Sequence, residues 1–218
     1  MGVGNAYLCR MPELNVKRYH DPLPVMETFH TIQGEGVFTG HAAWFIRLAG
    51  CDVGCVWCDV KDSWDVSRHP LREVDVLVSE ARSSGAPLAV VTGGEPAMHD
   101  LVILTDALRQ AGMRTHIETS GAYEITGRWD WVCLSPKKFK TPVDSAFRQA
   151  DELKVIVYNR SDLTWGLELA KRVKPGCRLL VQPEWSRASE MMPLVVDHVK
   201  SNPTWQISLQ SHKYMQIP

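Results

Sequence analysis

Short apolar runs alternate with amphipathic stretches along most of this chain. The runs Ala43–Leu48, Leu88–Thr92, Arg114–Glu118, Trp131–Leu134, Glu152–Val157, Arg178–Gln182 and Gln206–Leu209 predict strands. Between them Leu71–Ser83, Asp100–Gly112, Ser161–Val173 and Ala188–Lys200 predict helices. The second helix shows the pattern: Leu101, Leu104, Leu108 and Ala111 share one face, Asp100 can cap the start and Gly112 can end it. Strands separated by helices imply βαβ units with right-handed crossovers, hence a largely parallel sheet in an α/β fold. Residues 1–24 have no periodicity and contain Pro12, Pro22 and Pro24, so they read as a loose N-terminal extension. A complete eightfold barrel takes about 250 residues, so residues 25–218 fit a partial (β/α)6-type barrel better.

Composition narrows the class. At 218 residues, 44% hydrophobic and 22% charged, the chain has the makeup of one globular domain. A net charge of −1 gives no basic surface, so no direct nucleic-acid partner is expected. No segment approaches the ~20 apolar residues that span a bilayer, so no membrane partner is expected either. No internal repeat or low-complexity tract is present. Without a signal peptide, and with three crowded cysteines suited to a reducing compartment, the cytoplasm is the expected location.

Those cysteines carry the strongest chemical signal. Cys51, Cys55 and Cys58 are spaced C-x₃-C-x₂-C in a loop just after Ala43–Leu48. A cubane iron–sulfur cluster has four irons, and three thiolates leave one of them open to a ligand. The competing reading is a structural zinc site with a distant fourth ligand such as His30, His41 or His69, making a zinc-stabilised binding module. Zinc sites usually pair two ligand pairs, and Cys9, Cys133 and Cys177 stand alone. Cys133 reads as a small buried hydrophobe. Other motifs close predicted strands on the same side: Gly93-Gly94-Glu95-Pro96, Glu118-Thr119-Ser120-Gly121, Ser135-Pro136-Lys137 and Gln182-Pro183-Glu184. In parallel α/β folds the carboxyl ends of strands carry the site. Adjacent glycines let backbone approach a ligand, and Glu95 offers a carboxylate to a cationic group.

The cysteine loop followed by Thr92-Gly93-Gly94-Glu95-Pro96 resembles the radical S-adenosylmethionine (SAM) superfamily. Further segments are similar to the 7-carboxy-7-deazaguanine synthase family. They are Thr31-Ile32-Gln33-Gly34-Glu35-Gly36, then Gly40, Arg47 and Gly50, then Ile117–Gly121, Leu134–Lys137, Asp151–Lys154, Gln182-Pro183 and Ser208–Pro218. The resemblance runs from about Val25 to the last residue. It implies a [4Fe-4S] cluster and SAM as cofactors. The reaction implied is ring contraction of 6-carboxy-5,6,7,8-tetrahydropterin to 7-carboxy-7-deazaguanine with release of ammonia, a carbon–nitrogen lyase step toward queuosine and related deazapurines. A homodimer and an electron donor such as flavodoxin are implied as partners. A glycyl-radical-enzyme activase shares the cysteine spacing and is the alternative enzyme, but lacks the Gln-Gly-Glu-Gly start.

The resemblance also distributes roles. Cys51, Cys55 and Cys58 would hold the cluster. SAM would meet Trp57, Gly93, Gly94, Glu95, Glu118, Ser135, Pro136, Lys137, Gln182, Pro183, Glu184 and Trp185. The pterin would meet Ile32, Gln33, Gly34, Arg47, Thr92, His212 and the terminal carboxylate of Pro218. A planar donor–acceptor edge plus a carboxylate calls for backbone amides, an amide side chain and a guanidinium fork, which these residues offer. No protein acid or base is identified. One departure concerns magnesium: the family continues the last cysteine as Cys-Asp-Thr, whereas this chain has Cys58-Asp59-Val60. A hard cation takes oxygen ligands, so Val60 in the threonine's place makes a Mg²⁺ site doubtful.

Overall fold

The computed structural model describes residues 21–218, so residues 1–20, with Cys9, Pro12 and most of the expected extension, lie outside the described residues. The elements in order are β1 (Leu23–Ile32), β2 (Ala42–Leu48), β3 (Leu71–Arg72), α1 (Val74–Ser84), β4 (Leu88–Gly93), α2 (Val102–Gln110), β5 (Arg114–Thr119) and β6 (Trp131–Leu134). They continue with α3 (Asp144–Gln149), β7 (Glu152–Val157), α4 (Arg160–Ala170), β8 (Arg178–Pro183), α5 (Ala188–Ser201), β9 (Trp205–Ile207) and α6 (Ser211–Met215). All strands join one sheet in the order β3-β1-β2-β4-β5-β6-β7-β8-β9. Neighbours from β2 to β9 are parallel, and β1 is antiparallel to both β2 and β3. A helix fills every parallel crossover except β5 to β6. This is an α/β partial barrel, and the seven strands read from the sequence are its seven parallel strands.

Strand alternation gives the sheet two unlike faces. On one, Ile46, Leu48, Ala89, Val91, Ile117, Leu134, Leu153 and Val155 pack beneath Leu77, Leu104, Leu108, Leu163 and Val195 of the helices. On the other, Ala43, Phe45, Leu88 and Val90 pack with Phe38 into an apolar plug. Toward the carboxyl ends that second face turns polar. Register sets Arg47 beside Thr92, Glu118 beside Cys133, Lys154 beside Leu180 and Gln182 beside Ile156. The polar end of the helix-free face is where the site lies.

Three local expectations are corrected. Leu23–Ile32 forms a strand, so β1 precedes the one expected first and begins inside the stretch read as extension. Leu71 and Arg72 leave the predicted helix and pair with Pro24 and Leu23 as β3, so α1 starts at Val74. Both follow from pairing between distant segments, which periodicity within one window does not contain. At the far edge β9 is shifted to Trp205–Ile207, where Trp205 is buried and Leu209 is exposed. The capping expectation for α2 has its counterpart in the structure: Asp100 Oδ1 accepts from Val102 N at 3.0 Å and Gly112 takes φ +81°.

Candidate active site

Beyond β2 the chain turns through Gly50, whose amide donates to Ser63 O at 2.7 Å, into the cysteine loop. Cys51, Cys55 and Cys58 all face a cavity of about 250 Å³ at the carboxyl ends of the strands. Burial raises the Cys51 thiol and pushes Cys55 up to about 11 against an opposing pull from Lys137. Such thiols stay protonated until a metal displaces the proton. Zinc would draw its thiolates to within about 4 Å of one another, given Zn–S bonds near 2.3 Å. Among the described residues no three His, Cys, Asp or Glu side chains converge on a single ion. His30, His41 and His69 are not on the cavity wall, and His69 Nε2 is bonded to Asp62 O at 2.8 Å. Three thiols spread around one cavity, with His30, His41 and His69 off its wall, fit a three-cysteine cluster loop better than the zinc site first considered.

Gly93 and Gly94 line the same cavity at the end of β4. Their lack of a Cβ serves contact with the cysteine loop. A Cβ on Gly94 would fall 2.4 Å from Gly50 O and 2.7 Å from Cys51 Cβ, and one on Gly93 2.1 Å from Leu48 O. Backbone bonds from Gly94 N to Leu48 O and from Glu95 N to Gly50 O fix this approach. Glu95 is 1% exposed and is not on the cavity wall. It accepts from Ala97 N at 3.0 Å, from Ser120 N at 2.8 Å, and from the Thr119 and Ser120 hydroxyls. With all its lone pairs engaged, it ties β4 to β5 and has no oxygen left for an ammonium group.

Opposite the cysteines is a buried charged network. Gln33 Nε2 donates to Glu118 Oε1 at 2.8 Å, and Gln33 Oε1 accepts from Glu35 N at 3.0 Å. Lys154 Nζ lies 2.6 Å from Glu35 and 3.5 Å from Glu118, with its side chain 3% exposed. Burial works against the charge on Lys154, but the two glutamates raise it well above the ordinary lysine value. Glu35 also accepts from Gln210 Nε2 at 2.8 Å. Behind this wall Gly36, at φ +68°, leaves the space that a Cβ would need to Glu152 Oε1, 2.2 Å from that position. Glu152 in turn accepts from Val37 N and Trp131 Nε1, both at 3.1 Å.

The remaining expected residues fall around the same cavity with two exceptions. Ile32, Gly34, Arg47, Thr92, His212 and Pro218 line it on the β1 side. Arg47 gives its Nε to Glu27 at 2.7 Å, so only its outer nitrogens are left for a ligand. His212 stacks over Gly34, where a Cβ would lie 2.2 Å from its Nδ1, and Thr31 donates to Pro218 O at 3.0 Å. Trp57, Ser135 and Lys137 line the cluster side, with Lys137 Nζ 5.8 Å from the Trp57 ring centre and bonded to Ser135 Oγ at 2.7 Å. Gln182, Glu184 and Trp185 line the β8 side. Pro136 and Pro183 are not on the cavity wall, although their neighbours Ser135, Lys137, Gln182 and Glu184 are. Val60 faces the cavity, and the carboxylate of Asp59 is 3.2 Å from Lys213 Nζ.

Lys154, Glu35 and Gln210 line the cavity and had been given no role from the sequence. A signal for Lys154 was available. A lysine inside the apolar strand Glu152–Val157, in phase with Glu152, must be buried and therefore paired.

Residues 45–129 match the sequence profile of the Radical SAM superfamily. The chain is 54% identical to the 7-carboxy-7-deazaguanine synthase of Flavobacterium psychrophilum, over 90% of this chain and 93% of that protein. It is 44% identical to that of Synechocystis sp., over 89% and 93%, and 34% identical to that of Escherichia coli, over 89% and 98%. Its structure matches the crystal structure of QueE from Escherichia coli with a TM-score of 0.79 at 32% identity, over 88% of this chain and 95% of that one.

Proposed function

The chain belongs to the 7-carboxy-7-deazaguanine synthase family of radical SAM enzymes, and we infer that it runs that family's reaction in the cavity described above. It acts as a carbon–nitrogen lyase, contracting the ring of 6-carboxy-5,6,7,8-tetrahydropterin to give 7-carboxy-7-deazaguanine and ammonia. The observation that carries the reading is the meeting of three thiols, a buried amide–carboxylate–ammonium network and Arg47 around one cavity. A [4Fe-4S] cluster and SAM, held there, would supply one-electron radical chemistry for the pterin.

The protein's part is to hold and orient. Cys51, Cys55 and Cys58 would take three irons and leave the fourth for SAM. Gly93, Gly94, Trp57, Glu118, Ser135, Lys137, Gln182, Glu184 and Trp185 would receive the rest of that cofactor. The pterin's flat donor–acceptor edge would lie against Ile32, Gln33 and Gly34, where the Gln33 amide is held by Glu118 Oε1 and Glu35 N and the backbone by His41, Gly40 and Ser211. Its carboxylate would meet the free nitrogens of Arg47, with Thr92, His212 and Pro218 closing the pocket. Glu118, 3.5 Å from Lys154 Nζ, would accept from a ribose hydroxyl of SAM.

Magnesium is the finer question. With Val60 supplying no oxygen and Asp59 paired to Lys213, the chain offers the ion little, and turnover should depend on it weakly. Operation in a reducing compartment such as the cytoplasm, as a homodimer served by flavodoxin or a similar donor, completes the proposal. No helix among the described residues is long and apolar enough to cross a membrane. Anaerobic incubation of reconstituted protein with the carboxypterin, SAM and a reductant, followed by mass detection of the deazaguanine, tests the reading. A glycyl-radical activase would leave the pterin unchanged.

A further inference from the structure

The stretch Asp52–Trp57 carries two of the intervals between the cluster cysteines yet has little backbone support. Among the described residues its one backbone bond in this region is Cys58 N to Cys55 O at 3.1 Å, which stays inside the loop. What fastens it to the barrel comes from side chains of the segments after β5 and β6. Tyr123 OH donates to Asp52 Oδ2 at 2.5 Å. Lys140 Nζ donates to the same oxygen at 2.6 Å and to Tyr123 OH at 2.7 Å, and lies 4.2 Å from the tyrosine ring centre. The three groups form a closed triangle. Beneath it Val53 and Cys55 pack against Ala122, with Tyr123 over them.

We infer that Asp52, Tyr123 and Lys140 form a clamp that positions the cysteine loop and sets how firmly the cluster is retained. The inference rests on the reading of this loop as a cluster site. Two unconnected segments, one after β5 and one after β6, reach the same carboxylate one residue beyond Cys51. A loop held mainly by its own cysteines would open whenever one iron–sulfur bond breaks. A loop also held from outside keeps the freed thiolate in place for rebinding, so the bond re-forms before the cluster is lost. The three are positioning residues, since none lines the cavity.

The test is cluster retention in full-length reconstituted protein, read from iron and sulfide content and from the decay of charge-transfer absorption on exposure to air or chelator. Tyr123→Phe and Lys140→Met, singly and together, should fold as the parent does by circular dichroism. Each should lose the cluster faster, by about three- to fivefold for one link, the worth of a partly exposed charged contact. Lys140→Arg should restore retention. Should the double variant fail to fold, Tyr123→Phe alone decides, because it removes one oxygen from a half-exposed site. Decay rates equal to the parent's in Tyr123→Phe and Lys140→Met would overturn the clamp. A parent protein that takes up no iron and sulfide would sink the cluster reading itself, and the clamp with it.

Discussion

Replacing Lys154 with methionine isolates the charge at the centre of the network. Methionine keeps most of the side-chain volume and removes the ammonium group that lies 2.6 Å from Glu35 and 3.5 Å from Glu118. Two carboxylates, 16% and 19% exposed, are then left without a cation. Glu35 gives the direction of the loss. Burial pushes its carboxyl up, but the Lys154 charge and bonds from Lys154, Gln182 and Gln210 bring it down to about 2, where an ordinary glutamate sits at 4.5. Breaking a buried pair by removing one partner costs on the order of 3–5 kcal/mol, which sets the expected size. The sign with pH follows. A folded value below the unfolded one means the contribution is present above pH 4.5 and disappears as pH falls toward 2. In Lys154→Met burial is opposed only by the bonds from Gln182 and Gln210, so Glu35 lies above its value in the parent, and protonation in acid relieves the variant before it weakens the parent. Urea unfolding of both proteins, kept anaerobic and followed by tryptophan fluorescence, should show a deficit of about 3 kcal/mol near pH 7 that shrinks toward about pH 4. A neutral-pH deficit under about 1 kcal/mol, or one that does not shrink in acid, would refute the reasoning.

Three further outcomes are expected. Gly94→Ala should fold yet take up much less iron and sulfide, because its Cβ would meet Gly50 O at 2.4 Å and push the cysteine loop outward; parental cluster content would count against that contact. Arg47→Ala should keep the cluster and weaken carboxypterin binding by about 1.5–3 kcal/mol, the range for charge-assisted hydrogen bonds, and an unchanged KM would remove Arg47 from the pocket. Turnover should respond weakly to Mg²⁺ in the parent and more strongly in Val60→Thr, which adds a hydroxyl to the wall; a strong requirement in the parent would refute the reading of Val60 and Asp59.

The sequence by itself located the seven parallel strands, β9 only approximately, since β2, β4, β6, β7 and β8 are short apolar runs whose burial is written into adjacent residues. It also determined the chemistry at the cysteine loop, because a spacing of thiols is a local property that survives any fold bringing the loop to the surface of a cavity. β1 and β3 were not legible, for both exist through pairing with other segments, β1 with β2 across a turn and β3 with Leu23 and Pro24 almost fifty positions back. The direction of Glu95 belonged to the tertiary structure as well. A carboxylate after two glycines can face a ligand or the protein, and here Thr119 and Ser120, more than twenty residues on, supply donors that turn it inward. Only the curved sheet set Lys154 between Glu35 and Glu118 and carried Gln210 and His212 against Glu35 and Gly34, just after β1. Electrostatic and hydrogen-bond partners are chosen by distance in space, and the sequence records distance only along the chain.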